Sequence, residues 1–401
     1  MDALAQEYVS LALAADRLFP GLVDGYYGPP EPKAEADAGP LPEAPVLLGR
    51  ARGLTAALRA ESPSPRRDFL AAQARALEAL CRLLAGEELA YVDEVGLLFD
   101  VDVAFTPDSE LEDALAELDE LLPGEGELRE RMVVWRGRFE LSTEAARLLL
   151  PVVIAELRAR TSAIVALPPG EDVELGLVSG NPWSAYNWYR GGLRSRIEIN
   201  TDLPLRANDL VDLMAHEGYP GHHTEHAVKE ELLCRQAGYA EHAILLTQAP
   251  EAVISEGIAE LAAKVVFPGD EQYRFQAEAS TGPSGSRAIH RVEAAIDAAF
   301  ARLRCVLTNA ALLLHRDGAT EAEVHAYLCR YGLRDDRAAA SNVRFVADPL
   351  WRAYAVTYTA GRDLVRDWLD AGAESVRAAR FARLLTEPLT PGRLRAELAA
   401  P

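Results

Sequence analysis

The sequence predicts a mainly α fold: a large helical body with one small antiparallel β element placed just before a histidine-rich helix. Two observations predict it. Apolar residues recur at helical spacing over most of the 401 residues, broken at Pro- and Gly-rich points. Period-two alternation is confined to residues 173–200.

In the first third, Leu4, Tyr8, Leu11, Ala15 and Leu18 form a helical stripe. A turn-rich aromatic stretch, Phe19 to Pro30, follows and reads as a packed loop. Glu31 to Pro45 is Pro, Ala and acid and reads as an exposed connector. Helical patterns then resume, punctuated at Ser62–Pro65, Thr106–Ser109, Pro123–Glu127 and Pro168–Asp172; runs such as Glu110 to Glu120 read as solvated helix faces.

The texture changes at Val173. Val173, Leu175 and Leu177 alternate, Gly180-Asn181-Pro182 turns the chain, and Ile197 and Ile199 alternate with Arg196, Glu198 and Asn200. This predicts a hairpin or small sheet. Arg190, Arg194 and Arg196 either receive a substrate carboxylate or decorate an exposed strand.

Next comes Ala215-His216-Glu217-Gly218-Tyr219-Pro220-Gly221-His222-His223, with three of the chain's eight histidines. Leu210, Leu213 and Met214 make one apolar stripe, and Glu217 falls on it. A carboxylate on a core-facing stripe is costly unless it meets a cation, a metal or a proton. His-Glu on a helix is also how zinc hydrolases begin, the His binding metal and the Glu taking a proton from water. The usual spacing is H-E-x-x-H, however. On an ideal helix His216 and His222 point roughly 120° apart, and His223 lies about 10 Å beyond His216. A regular helix therefore cannot build the site. Pro220-Gly221 predicts a bulge that returns His222 towards His216. The plainer alternative is a set of surface histidines in a broken helix.

Further on, Ile254, Ile258, Leu261 and Val265 mark a helix carrying Glu256 and Glu260 together on another face. Such a like-charge pair weakens an isolated helix unless a cation is near. Ile289 to Leu314 reads as one long helix stopping at Asp317-Gly318, after a Gly/Pro loop at Thr281–Ser286. Thr320-Glu321-Ala322-Glu323 is a capping box opening the next helix.

Net charge is −21, which argues against nucleic acid or an anionic membrane as partner. Cys81, Cys234, Cys305 and Cys329 are scattered and read as buried thiols of a reducing compartment. No basic-then-apolar leader and no apolar run of about 20 residues is visible, so the expected location is cytoplasmic. The oligomeric state is not encoded in any readable pattern.

These residues resemble the bacterial family catalogued as domain of unknown function 885, whose hallmark is H-E-x-x-P-G-H-H. Four blocks carry the resemblance in order: Asn200 to Pro204 leading into His216–His223; Ser255-Glu256-Gly257; Leu314-His315 with Gly318-Ala319-Thr320; and Tyr358-Thr359-Ala360-Gly361-Arg362, with Arg344-Phe345 upstream. Val23 to Pro29 resembles one subgroup. The family is similar to helical zinc peptidases of the gluzincin type, such as the carboxypeptidase Taq and angiotensin-converting enzyme families.

The resemblance implies a central cleft between an N-terminal helical half (1–165) and a half with the β element and metal helices (166–401), the two making one unit. It implies one Zn2+ held by His216, His222 and Glu256, with Glu217 as general base. His223 stays an alternative ligand or a neighbour of the site. Tyr358, then His315, are the candidate oxyanion donors. Asn187, Arg190, Arg194, Arg196 and Arg344 are candidate substrate contacts. The expected activity is that of a zinc peptidase (carboxypeptidase, dipeptidase or oligopeptidase); the alternatives are a zinc amidase or esterase acting on a small non-peptide substrate, and a catalytically inactive binding protein descended from a metallopeptidase. The expected substrate is a peptide or a small amide.

Overall fold

The computed structural model describes residues 1–181, 183–281, 287–349 and 351–400. The chain is mainly helical, as expected, with five short strands among these residues. Helices Asp2–Asp16, Ala44–Ala60, Pro65–Leu84, Tyr91–Phe99, Asp108–Leu121, Leu128–Gly137 and Thr143–Thr161 make up most of the first part. Local chemistry explains their limits. Ser64 accepts a hydrogen bond from the Arg67 amide (3.1 Å) and Pro65 occupies the first turn, where its missing N–H costs nothing. That helix buries Phe69, Leu70, Leu77, Leu80 and Cys81. Thr320 and Glu323 cap each other at the start of Glu321–Tyr331, as the sequence predicts.

Two expectations are refined and one is not tested. Pro30–Ala38, read as connector, is a short exposed helix tied down by Arg17, which donates to the carbonyls of Ala36 (2.7 Å), Gly39 (2.7 Å) and Pro40 (2.9 Å). The long helix expected from Ile289 is split: Arg287–Ala301 tightens into a 3-10 turn, Arg302–Cys305, before Val306–His315. Residues 282–286 of the expected Gly/Pro loop lie outside the described residues.

Strand β1 (Val23–Tyr26) pairs antiparallel with a later strand, β5 (Ile244–Leu246), and its register slips between Val23 and Gly25, leaving Asp24 on a bulge. Strands β2 (Asp172–Val178), β3 (Ala185–Tyr189) and β4 (Arg194–Asn200) form the element expected before the motif helix, in the order β2-β4-β3. β3 and β4 are antiparallel; β2 joins on the far side in parallel, so the sheet is mixed. Ser195, Ile197 and Ile199 face the core, Arg194, Arg196 and Glu198 the other side.

Three apolar clusters fill the body. One links the N-terminal helices to Val253 and to residues 296–356. A second packs β3 and β4 onto the motif helix through Ile197, Ile199, Leu210 and Met214. The third joins Ile254, Ile258 and Leu261 to Trp368 and Phe381. All four cysteines are free thiols; Cys81 and Cys305 are buried, Cys234 and Cys329 half-buried. Among the described residues no helix is long and apolar enough to cross a membrane.

Candidate active site

The motif helix runs Ala207–Glu217 and stops at Gly218, whose φ and ψ of −111° and −99° leave the helical region. The chain makes a four-residue excursion, Gly218 to Gly221, through a cis Tyr219–Pro220 peptide, and a second helix begins at His222. Backbone bonds fasten the excursion to the helices on both sides: Gly221 N–H donates to Ala215 O (2.9 Å) in the helix before it, and Thr224 N–H in the helix after it donates to Gly218 O (3.2 Å). The approach is so close that a Cβ on Gly221 would lie 2.0 Å from His216 O, and one on Gly218 2.7 Å from Met214 O. Both positions exclude any side chain.

The excursion turns His222 back onto His216, their rings 4.8 Å apart and nearly perpendicular. The third group comes from helix Pro250–Val266. Glu256 Oε2 is 3.7 Å from His216 Nε2, and its Oε1 is 4.0 Å from His222 Nε2. One donor atom from each of His216, His222 and Glu256 lies within 4.8 Å of the others.

Two of the three are oriented by a neighbour. His222 Nδ1 meets Ser255 Oγ at 3.0 Å, which turns Nε2 towards Glu256. The Tyr354 hydroxyl donates to Glu256 Oε1 (2.9 Å), while Glu256 Oε2 is buried with no hydrogen-bond partner. Glu256 reaches this point because Gly257 and Gly361 let two helices touch: a Cβ on Gly257 would lie 2.5 Å from Gly361 O. Asn187, from β3, donates to the backbone carbonyl of Glu217 (2.6 Å).

The electrostatics suit a bound cation. Burial pushes the Glu217 carboxyl up to about 8, against a hydrogen bond from Asn187 and with the charge of Asp24 adding to the rise. Burial likewise pushes Glu256 up to about 8 despite the Tyr354 bond. Both imidazoles are held below their usual range, chiefly by burial, His216 also by His222 and Arg304. A divalent ion among these groups relieves every one of these penalties, since it binds neutral imidazole and charged carboxylate. Tetrahedral zinc with bonds near 2.0–2.2 Å sets donors about 3.3 Å apart, so the group has to draw in around an ion from the 3.7 and 4.0 Å that separate Glu256 from the two imidazoles.

The other expected residues are placed as follows. His223 is fully buried with both nitrogens used, Nδ1 by Ser195 Oγ (2.9 Å) and Nε2 by Glu171 Oε2 (2.9 Å). Tyr358 is half-buried beside Tyr354, ring centroids 5.6 Å apart, and the charges of Glu256 and Glu217 add to the effect of burial in raising its phenol. His315 is elsewhere: it stacks on Tyr91 and its Nε2 donates to Val346 O (2.6 Å). Arg190, Arg194 and Arg196 pair with Glu174, Asp172 and the Glu174–Glu198 couple, on the sheet face turned away from the core. Arg344 is exposed on helix Asp336–Ala347.

Two groups at the site escape the sequence reading. Tyr354 lies one helical turn before Tyr358, so an i, i+4 tyrosine pair was the available signal. Asp24, on its bulge, accepts a hydrogen bond from Tyr186, and its charge acts on both Glu217 and Glu256. Nothing in the spacing of a distant turn announces that.

No family model matches the sequence, and no curated protein does. Among solved structures, the chain is similar to a protein of Colwellia psychrerythraea described as a "putative lipoprotein", with a TM-score of 0.56 at 17% identity over 91% of this chain and 71% of that one. A similarly described Shewanella oneidensis protein of unknown function gives 0.48 at 14% identity, over 89% and 73%. The M32 carboxypeptidase from Deinococcus radiodurans R1 gives 0.41 at 13% identity, over 98% and 93%. The likeness is one of fold, and only the first is close enough to establish it. The family resemblance in the sequence therefore rests on its motif residues.

Proposed function

We propose that this protein is a zinc-dependent hydrolase of peptide or small amide bonds, with one ion held by His216, His222 and Glu256. The observation that carries the reading is the return of His222 onto His216, opposite Glu256, with Glu217 next in sequence to a ligand. A structural zinc site closes with four protein ligands; three ligands beside a buried carboxylate leave one position for chemistry. When bound, zinc supplies a Lewis acid that lowers the pKa of water and polarises a carbonyl.

The chain's own residues do the rest. Glu217 takes the proton of the attacking water and delivers it to the departing amine. Its carbonyl, held by Asn187, fixes the end of the motif helix. Ser255 fixes the ring of His222, and Tyr354 fixes Glu256. Tyr358, with a hydroxyl not committed to Glu256, is the group to donate to the developing oxyanion. His315, bonded to Val346 O, is not assigned that role. The three sheet arginines are already paired with carboxylates, so recognition of a terminal carboxylate is not assigned to them.

The test is metal analysis of the purified protein together with turnover on a panel of peptides and simple amides, for the wild type and Glu217→Gln. Zinc at the site in both proteins, with turnover in the wild type only, supports the reading. A wild type that takes up no zinc here, or a Glu217→Gln variant as active as its parent, defeats it.

A further inference from the structure

A second cluster of metal-ligating side chains lies well apart in sequence from the motif. His325 and Cys329 are four residues apart on helix Glu321–Tyr331 and so share a face. The turn at Gly332–Asp335, in which Leu333 adopts a φ of +50°, leads into helix Asp336–Ala347 and sets Asp336 beside them. Cys329 Sγ is 3.8 Å from His325 Nδ1 and 3.9 Å from Asp336 Oδ1. One donor atom of each of the three lies within 4.8 Å of the others.

The imidazole is already set for coordination. His325 Nε2 meets the backbone carbonyl of Asp336 at 3.1 Å, so Nε2 carries the proton and Nδ1 presents its lone pair to the sulfur. Ligating histidines are commonly fixed in this way, by donating the other ring N–H to a carbonyl or carboxylate. Tetrahedral zinc with one S and two N/O donors requires edges of about 3.5 Å, a few tenths shorter than the two that Cys329 Sγ makes here; the third is set by Asp336, whose Oδ1 is 4.0 Å from His325 Nε2 and whose side chain is exposed. All three side chains are reachable: His325 and Cys329 are half-buried and Asp336 is exposed.

We propose that His325 Nδ1, Cys329 Sγ and Asp336 Oδ1 form a second site for a borderline divalent ion, zinc or cobalt, that ties helix Glu321–Tyr331 to helix Asp336–Ala347. Binding replaces the S–H bond of Cys329 by a sulfur–metal bond and releases one proton to solvent. A thiolate with an imidazole selects zinc-like ions over magnesium or calcium, which prefer all-oxygen shells. The site is independent of the hydrolase reading: it shares no residue with the His216 centre, and it raises the expected zinc content from one ion per chain to two.

Titration of the full-length protein with cobalt(II) alone reads it directly, because thiolate-to-cobalt charge transfer gives a near-ultraviolet band that His/carboxylate ligation lacks. The band is expected in the wild type and in the His216→Ala/His222→Ala double variant, and is lost in Cys329→Ser. Zinc content is expected to be two per chain in the wild type and one in Cys329→Ser. His325→Ala, which leaves the thiol intact, gives the same loss and decides the matter if Cys329→Ser does not fold. Cobalt binding to the double variant without a thiolate band overturns the proposal, as does wild-type zinc content in a folded Cys329→Ser or His325→Ala variant.

Discussion

Gly221→Ala is the most direct probe of how the site is built. The new Cβ would meet His216 O at 2.0 Å, Ala215 O at 2.4 Å and His216 C at 2.7 Å. All three are backbone atoms at the end of the motif helix, so no side chain can swing aside. Gly221 has a negative φ of −75°, and the penalty is steric contact. Restoring an ordinary contact of about 3.4 Å requires the start of the His222 helix to move off the motif helix by more than about 1 Å. Overpacking of this kind costs about 1–3 kcal/mol of stability. The Gly221 N–H···Ala215 O bond contributes about 1 kcal/mol more when lost. A shift of that size takes His222 out of bonding range of an ion held by His216 and Glu256, so zinc affinity is expected to fall by at least about tenfold, or about 1.4 kcal/mol. The measurement is zinc affinity by competition with a chelator, with Cys329→Ser as common background and circular dichroism as the check on folding. A folded Gly221→Ala protein that binds zinc at this centre as tightly as its parent would refute the claim that the excursion sets the ligands.

Other outcomes follow from the same contacts. His222→Ala is expected to lose the ion at the His216 centre while keeping its fold; His223→Ala is expected to keep the ion and lose about 2 kcal/mol of stability, because Glu171 and Ser195 lose a buried partner. Metal analysis and urea unfolding of the pair separate the two roles. Tyr354→Phe is expected to weaken zinc binding by about tenfold through Glu256, whereas Tyr358→Phe leaves affinity unchanged and lowers kcat by about a hundredfold. Hydrogen bonds from Arg383 hold the Glu397 carboxyl down to about 2, with Arg393 and Trp368 assisting against burial. A depressed carboxyl stabilises the fold above its unfolded value, near 4.5, and that contribution is lost as pH falls from there to about 2. The groups are partly solvated, so the effect is about 1 kcal/mol; Glu397→Gln should flatten the stability-versus-pH curve in that window and lower stability at pH 7.

Much of this architecture is legible in one sequence because it depends on local rules. Helical spacing gave the helical body, alternation gave β3 and β4, and the impossibility of bonding one ion from His216 and His222 on a regular helix gave the excursion. What local rules cannot reach is pairing across the chain. The parallel addition of β2 was hidden because a buried face alternates alike in either direction. The engagement of His223 depends on Glu171, 52 residues away, which no pattern links to it. The arginines of β4 looked as suited to a substrate as to Glu174 and Glu198, and only the sheet face they occupy separates the two.

The Ser255-Glu256-Gly257 block shows how a short motif can be physically dense. Its three residues point in three directions about 100° apart on the helix, and each meets a different part of the site. Ser255 reaches the ring of His222, Glu256 faces both imidazoles, and Gly257 abuts the backbone of Gly361. The contact between glycines sets the spacing of the other two. A methyl group on Gly257 would meet Gly361 O and Val365 Cγ2 at 2.5 Å and push apart the helices that carry Glu256 and Tyr354. Gly361 has the reciprocal constraint, since its own Cβ would lie 2.3 Å from Val253 O. Two blocks a hundred residues apart therefore read as one device: a glycine on each side allows close approach, and the carboxylate and phenol beside them meet because of it.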